Sequence, residues 1–275
     1  MIKKIRRSVI AGSWYPGSQR ALQKTIEGYF DRVKDRTLAG KVVGLISPHA
    51  GYPYSGQVAA HGYKQILGQK YDVVVIISPL HQMAWGRTVI PDATHFETPL
   101  GLVPVNQEYV DRISTVISVE RITSDNEHSL EIQLPFLQVA LQDFTLLPIM
   151  VGHGDVYGGE DIADALIGIL KDKTSLIVAS TDLHHIADYR EVKRRDSGVV
   201  EALSSFKLKT IRDALSPSDC TVCGRVPVSI VVDATQKMGA TGLIVLSQTN
   251  SGDVTGERGA GQYTVGYVSA AVVEE

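Results

Sequence analysis

Apolar positions in this chain follow two rhythms. Three short stretches, 42–47, 73–78 and 176–180, are apolar or small almost throughout and rich in valine and isoleucine. Continuous runs of this kind predict strands buried on both faces, as in a parallel sheet. The first two end alike, in Ser47-Pro48-His49 and in Ser78-Pro79-Leu80-His81. Proline cannot continue a ladder, so it stops each strand just before a histidine. The third ends in Ser180-Thr181-Asp182-Leu183-His184-His185. Further strands are expected at 144–151, 241–249 and 263–273.

Between these runs the period is helical. Residues 18–36 place Leu22, Ile26, Tyr29, Phe30 and Val33 on one stripe, with Ser18 as a cap. Ser55 is expected to cap a second helix whose core face holds Val58, Ala59, Ile66 and Leu67. Residues 84–105 read as loop with short strands. Asn106 caps a helix carrying Val110, Ile113 and Ile117. A helix over 126–142 should be kinked by Pro135, and one over 223–238 interrupted by Pro227. Other helices fall near 160–170, 189–205 and 207–215. A polar, glycine-rich loop is expected over 251–259. Strands alternate with helices and no linker appears. The pattern therefore predicts an α/β fold, one domain over residues 1–275, with a central, mainly parallel sheet flanked by helices.

Composition narrows the classes. The chain has 275 residues, 44% hydrophobic and 21% charged, with a net charge of -3. Apart from Lys3-Lys4-Ile5-Arg6-Arg7 there is no basic run, which argues against nucleic-acid binding. That basic start lacks a following apolar stretch and does not read as a signal peptide. No run reaches the roughly 18 apolar residues of a membrane span. Cys220 and Cys223 are the two cysteines, so a disulfide framework is excluded and a cytoplasmic setting is expected.

In open α/β sheets ligands bind outside the carboxyl ends of the strands. His49 and His81 occupy matching positions there, and neutral imidazole is a common ligand for zinc, iron, copper and nickel. Cys220-Thr221-Val222-Cys223 lacks the strand-then-helix context of a redox pair and has no second pair for structural zinc. Two readings stay open: small buried residues, or Cys223 as a third ligand to the histidines. A helix starting at Cys223 would favour its thiolate. Adjacent side chains on a strand point to opposite faces, so only one of His184 and His185 can enter a given pocket. Asp182 is read as a partner that orients a ligand histidine or as a helix cap, and His185 as a general acid or base. In the acid-rich stretch 125–131, Glu127 and Glu131 read first as acids stabilising a helix start, with His128 sharing a face with Glu131. His61, in a helix, and His95 and His153, in loops, read as non-ligands. Trp14, Tyr15, Tyr52 and Tyr54 line either a cleft or the packing of the N-terminal arm.

Six stretches in order resemble the Memo family: Ala11-Gly12-Ser13-Trp14-Tyr15, Pro48-His49-Ala50-Gly51-Tyr52, Ser78-Pro79-Leu80-His81, Glu127-His128-Ser129-Leu130-Glu131, Ser180-Thr181-Asp182 and Cys223-Gly224-Arg225. That family is similar to the class III extradiol dioxygenases, which implies a LigB-like fold. The resemblance implies a metal pocket of His49, His81 and Cys223, with Asp182 and His185 as its polar pair. In the dioxygenases two histidines and a carboxylate hold iron; here a cysteine takes the third place. Leu80 and Gln82 flank His81 where many relatives have Ser and His, and His184 replaces a common Cys. Three functions follow as expectations. One is an iron- or copper-dependent oxidoreductase, its substrate lying against Trp14 and Tyr54. Another is a peptide- or protein-binding module on an inherited enzyme fold, as the animal branch suggests. The third is a zinc hydrolase. Microbial relatives also imply AMMECR-type and radical-SAM protein partners.

Overall fold

The computed structural model describes residues 3–82, 88–141, 143–171 and 173–275. A two-residue strand, β1 (Ile5–Arg6), precedes helix α1 (Gln19–Asp31), which buries Leu22, Ile26 and Phe30. Ser18 stands at the N-cap position without making a side-chain capping bond. The first apolar run is β2 (Lys41–Ser47). Helix α2 (Tyr52–Tyr63) starts earlier than expected because Pro53 suits a first turn. Ser55 therefore lies inside it, and its hydroxyl donates back to the Ala50 carbonyl at 2.8 Å. Val58, Ala59 and Ile66 are buried, but Leu67 turns out to solvent just past the last turn.

The second run is β3 (Val73–Pro79), buried at every position. Short strands β4 (Thr88–Pro91), β5 (His95–Thr98) and β6 (Gly101–Pro104) follow. His95 thus lies in a strand, and residues 84–87 of the expected loop fall outside the described residues. Asn106 caps α3 (Gln107–Val116) by accepting from the Tyr109 N–H at 3.2 Å. Strand β7 (Glu120–Ile122) comes next. The expected helix over 126–142 is instead an irregular segment, a 3₁₀ turn (Glu131–Gln133) and a short helix, α4 (Leu134–Ala140). Pro135 does not kink that helix; it sits in the first turn, where its missing N–H has no helical partner to lose. Residue 142 lies outside the described residues.

Strand β8 (Leu146–Val151), helix α5 (Glu160–Leu170) and the third run, β9 (Ser175–Ser180), come next. Strand β10 (His185–Asp188) leads into α6 (Tyr189–Ser205) and α7 (Leu208–Leu215). Pro227 falls in the first turn of α8 (Arg225–Lys237) and does not interrupt it. The chain continues with β11 (Gly242–Asn250), a short helix α9 (Ser251–Thr255) inside the expected loop, and the long strand β12 (Ala260–Glu274).

Strands β2, β9, β3 and β8 lie side by side and parallel. They form the centre of a sheet ordered β10-β12-β2-β9-β3-β8-β4-β7, with β11 also on β12. The sheet is mixed rather than mainly parallel. Strand β12 runs antiparallel to β2, β10 and β11, and β4 antiparallel to β8. The physical reason is connection length: β11 and β12 are joined by only nine residues (251–259), too few for a crossover to a parallel neighbour. A separate three-stranded sheet joins β1, β5 and β6. Helices cover both faces of the large sheet. Gly44 of β2 faces Thr235 of α8, whereas the next residue, Leu45, faces Gly62 of α2.

The N-terminal arm is tied down by a buried charge cluster. Glu131 is fully buried and accepts from the Ser8 hydroxyl at 2.6 Å, the Tyr15 hydroxyl at 2.7 Å and the Val9 N–H at 3.0 Å. It also pairs with Arg6, which holds Asp125 at 2.6 Å. Burial, reinforced by the charge of Glu131, pushes the Tyr15 hydroxyl well up. Glu131 opens the 3₁₀ turn, as an acid at a helix start, and its carboxylate is in addition an anchor for the arm.

Candidate metal centre

Strands β2, β9 and β3 are neighbours, so their carboxyl ends open on one edge of the sheet. They end in Ser47, Ser180 and Pro79, and two residues beyond each end stands His49, Asp182 or His81. The two histidines come together with ring centroids 5.3 Å apart. Cys223, from the segment before α8, brings its Sγ to 3.1 Å from His49 Nε2. Ligand atoms of His49, His81 and Cys223 all lie within 4.8 Å of one another. Gly224 permits this approach: a Cβ there would stand 2.3 Å from Thr181 Cβ and 2.5 Å from the Ser180 carbonyl.

The tautomer of each histidine follows from its neighbours. Ser180 Oγ donates to the Ser129 carbonyl at 2.6 Å and accepts from Gln133 Nε2 at 2.8 Å. A hydroxyl has one proton, so its 3.0 Å contact with His49 Nδ1 needs the proton on the ring. That leaves the His49 Nε2 lone pair facing Cys223. Gln133 is itself held by the Tyr63 hydroxyl at 2.7 Å. His81 Nδ1 donates to Glu127 Oε1 at 3.0 Å, which likewise frees its Nε2. Glu127 also accepts from the N–H groups of His81 at 2.7 Å, His128 at 2.9 Å and Ser129 at 3.0 Å. Burial alone would raise its pKa; the hydrogen bonds from the His81 ring and from the backbone N–H groups overcome this and hold it well below the usual carboxylate range. His49, completely buried beside His81 and His128, is pushed well down and stays neutral.

Asp182 accepts from the N–H groups of His49 at 2.8 Å and Ala50 at 3.3 Å, so it fixes the backbone of the ligand turn rather than the imidazole. Burial raises its carboxyl to about 7 against those bonds. Burial, with His81 and His184 nearby, lowers His185 to about 4. Its Nε2 is buried and lacks a hydrogen-bond partner. The Cys223 thiol is pushed well up, first by burial and then by Asp182. This reverses the lowering expected from a helix start, because desolvation and the Asp182 carboxyl both disfavour a thiolate here.

A cavity of about 620 Å³ opens over these groups. Its wall includes His49, His81, Asp182 and His185, with Trp14 and Tyr54 at the side. His128 stacks on His81 at 4.7 Å and meets Trp14 at 4.3 Å. His81, Glu127 and His128 form a second close donor group that shares His81 with the first. The 251–259 loop closes the far side through Ser251, Gly252 and Thr255. Sequence reasoning missed Ser180, Gln133, Ser129 and the role of Glu127. The one available signal was Glu127 next to His128, and it was the same signal as a helix start.

A family model described as Memo-like protein matches residues 6–271 of the chain. The chain belongs to the Memo family. Curated relatives named MEMO1 family protein agree over their full length. One from Thermotoga neapolitana is 36% identical over 97% of this chain and 99% of its own. One from Methanosarcina mazei is 32% identical over 99% and 100%. One from Nitrosopumilus maritimus is 31% identical over 96% and 98%. In this Memo-family chain, no helix among the described residues is long and apolar enough to cross a membrane.

Proposed function

We propose that this Memo-family protein holds iron or copper through His49, His81 and Cys223 and acts as an oxidoreductase on a small substrate lying against Trp14 and Tyr54. The observation that carries this reading is the orientation of the donors. Both Nδ1 atoms are engaged, by Ser180 and Glu127, and both Nε2 atoms are left for a cation beside one thiol. Outer hydrogen bonds of this kind fix ligand tautomers in metal sites. Two imidazoles and a thiolate suit copper, iron or zinc by donor type. The bound metal would supply the capacity to exchange electrons with the substrate. The protonated Cys223 thiol would release its proton as the cation is taken up.

The protein's own groups supply the proton chemistry. Near neutral pH Asp182 is poised between its two protonation states, while His185, which lines the cavity, is neutral and its buried Nε2 has no hydrogen-bond partner. A carboxyl that gives a proton and an imidazole that takes one are the partners general acid–base catalysis requires. The likeness to the extradiol dioxygenases supports the same arrangement of strand-end histidines, with Cys223 in place of a carboxylate. The test is metal analysis of protein purified without oxygen. About one equivalent of iron or copper is expected in the parent, and far less in His49→Ala and His81→Ala. Equal metal in parent and variants overturns the assignment of ligands. Stoichiometric zinc in place of both overturns the redox reading in favour of hydrolysis.

A further inference from the structure

The cavity over the candidate metal centre differs in character between floor and rim. Its floor carries His49 and Asp182, both buried. Its rim carries Tyr54, Tyr263 and Glu257, all exposed. The rings come from separate elements. Tyr54 lies in the first turn of α2. Tyr263 shares a face of β12 with Val265 and Tyr267, since alternate residues of a strand point the same way, and all three line the cavity. Tyr263 also stands edge-on to His185, with ring centroids 6.3 Å apart.

The formal charges here have one sign. Among the described residues lining the cavity, the acidic side chains are Asp182 and Glu257, and none is a lysine or arginine. The cation next in sequence, Arg258, is taken up elsewhere. Its guanidinium pairs with Asp253 at 2.8 Å and lies over the Tyr189 ring at 5.6 Å, and neither partner lines the cavity. Asp253 is held in turn by the Tyr189 hydroxyl at 2.7 Å. Gly256 ends α9 in the left-handed region, at φ 82°, and the turn it makes brings Glu257 to the cavity. The Glu257 N–H donates to Thr255 Oγ1 at 3.2 Å, whereas its carboxylate has no partner among the described residues. An aromatic ring is negative on its face, so rings beside a free carboxylate attract a cation and repel an anion. A phosphate ester or a carboxylate meets no positive side chain at this rim.

We propose that the molecule this cavity takes carries an organic ammonium group, held at the rim by Tyr54, Tyr263 and the Glu257 carboxylate. The inference names a class for the substrate proposed above and rests on that reading only in using the same cavity, because no metal takes part in holding the ammonium group.

The test compares choline with its neutral isostere, the alcohol in which a tert-butyl group replaces trimethylammonium. Both are titrated into the whole protein at low ionic strength and followed by saturation-transfer NMR. Choline is expected to bind about 10-fold more tightly, the combined pull of rings and carboxylate on a cation. Added salt should shrink that ratio, because the Glu257 carboxylate is exposed. Glu257→Gln should cut the ratio about 3-fold and leave the alcohol unchanged. Equal binding of the two molecules overturns the proposal. So does an absence of choline binding, or a folded Glu257→Gln protein that keeps the parent's ratio. The metal assignment is tested apart from this. The ratio is expected to persist in His49→Ala, so equal metal in parent and variants removes the ligand assignment and leaves the ammonium site standing. A ratio lost in folded His49→Ala places the preference at the floor and overturns the rim site.

Discussion

Replacing Glu131 by alanine should cost this protein a large part of its stability. The carboxylate is fully buried and receives the Ser8 hydroxyl at 2.6 Å, the Tyr15 hydroxyl at 2.7 Å and the Val9 N–H at 3.0 Å, besides its ion pair with Arg6. Breaking a buried ion pair from one side costs about 3–5 kcal/mol, because the surviving charge stays desolvated. Here Arg6 keeps Asp125 at 2.6 Å, and Tyr15 keeps Ser8 at 3.1 Å. Those partners place the expected loss at the lower end, about 3 kcal/mol. Against a total of about 5–15 kcal/mol that is a severe change. With a urea slope of about 3 kcal/mol per molar, the midpoint should fall by roughly 1 M at unchanged slope. Glu131→Gln, which retains one acceptor oxygen and the shape, should lose about half as much by the ordinary value of a charged hydrogen bond. Urea unfolding at pH 7 followed by circular dichroism reads both. A Glu131→Ala loss below about 1 kcal/mol would refute the argument that this residue anchors the arm.

Other consequences can be read with simple assays. Glu127→Gln should weaken metal binding about 10- to 100-fold, measured by competition with a chromophoric chelator, since the His81 tautomer loses its acceptor charge; undiminished affinity would count against that role. Gly224→Ala should destabilise by about 1–3 kcal/mol through overpacking against Thr181 and displace Cys223, lowering metal content as well as the unfolding midpoint; parent-like values in both would show that the close approach is dispensable. Burial would lower His184, but Asp196, 2.9 Å from its Nδ1, holds it up at about 9 against an ordinary 6.5, so its stabilisation is complete below pH 6.5 and is lost as the pH rises through 9. The stability gap between the parent and Asp196→Asn should therefore narrow over that window in urea titrations, and a gap that widens would reverse the sign of the coupling.

The parts of the fold that were legible are those encoded by neighbours in sequence. The runs at 42–47, 73–78 and 176–180 carry their own burial, and the prolines after Ser47 and Ser78 mark where each strand stops. Their side-by-side arrangement followed, and with it the meeting of His49 and His81. The antiparallel share of the sheet was not legible, because the register of β12 against β2 is fixed by contacts more than 220 residues apart. The anchoring role of Glu131 was hidden for a similar reason: an acid in a first helical turn looks the same whether or not it also holds an arm over 115 residues away. Ser180 read only as a strand end. Its work as an acceptor for His49 depends on Ser129 and Gln133, which no local pattern connects to it. Pro135 and Pro227 were placed correctly but given the wrong effect, since a first turn and a helix interior differ only by where the helix begins.

The long strand β12 also has a consequence for how the protein is made. It lies between β2 and both β10 and β11, and Ala270 and Ala271 sit opposite Ile46 and Leu45, just before the His49 turn. During synthesis, at about 5–20 residues per second, β2 must wait at least ten seconds for that neighbour to emerge. Until then one edge of the strand bearing the first histidine is unpaired, and Gly266, whose missing side chain leaves room for Asp196, has not yet been added. The ribosome thus delivers the three proposed ligands in the order His49, His81, Cys223, while β12, which pairs with the strand leading to the first of them, follows all three.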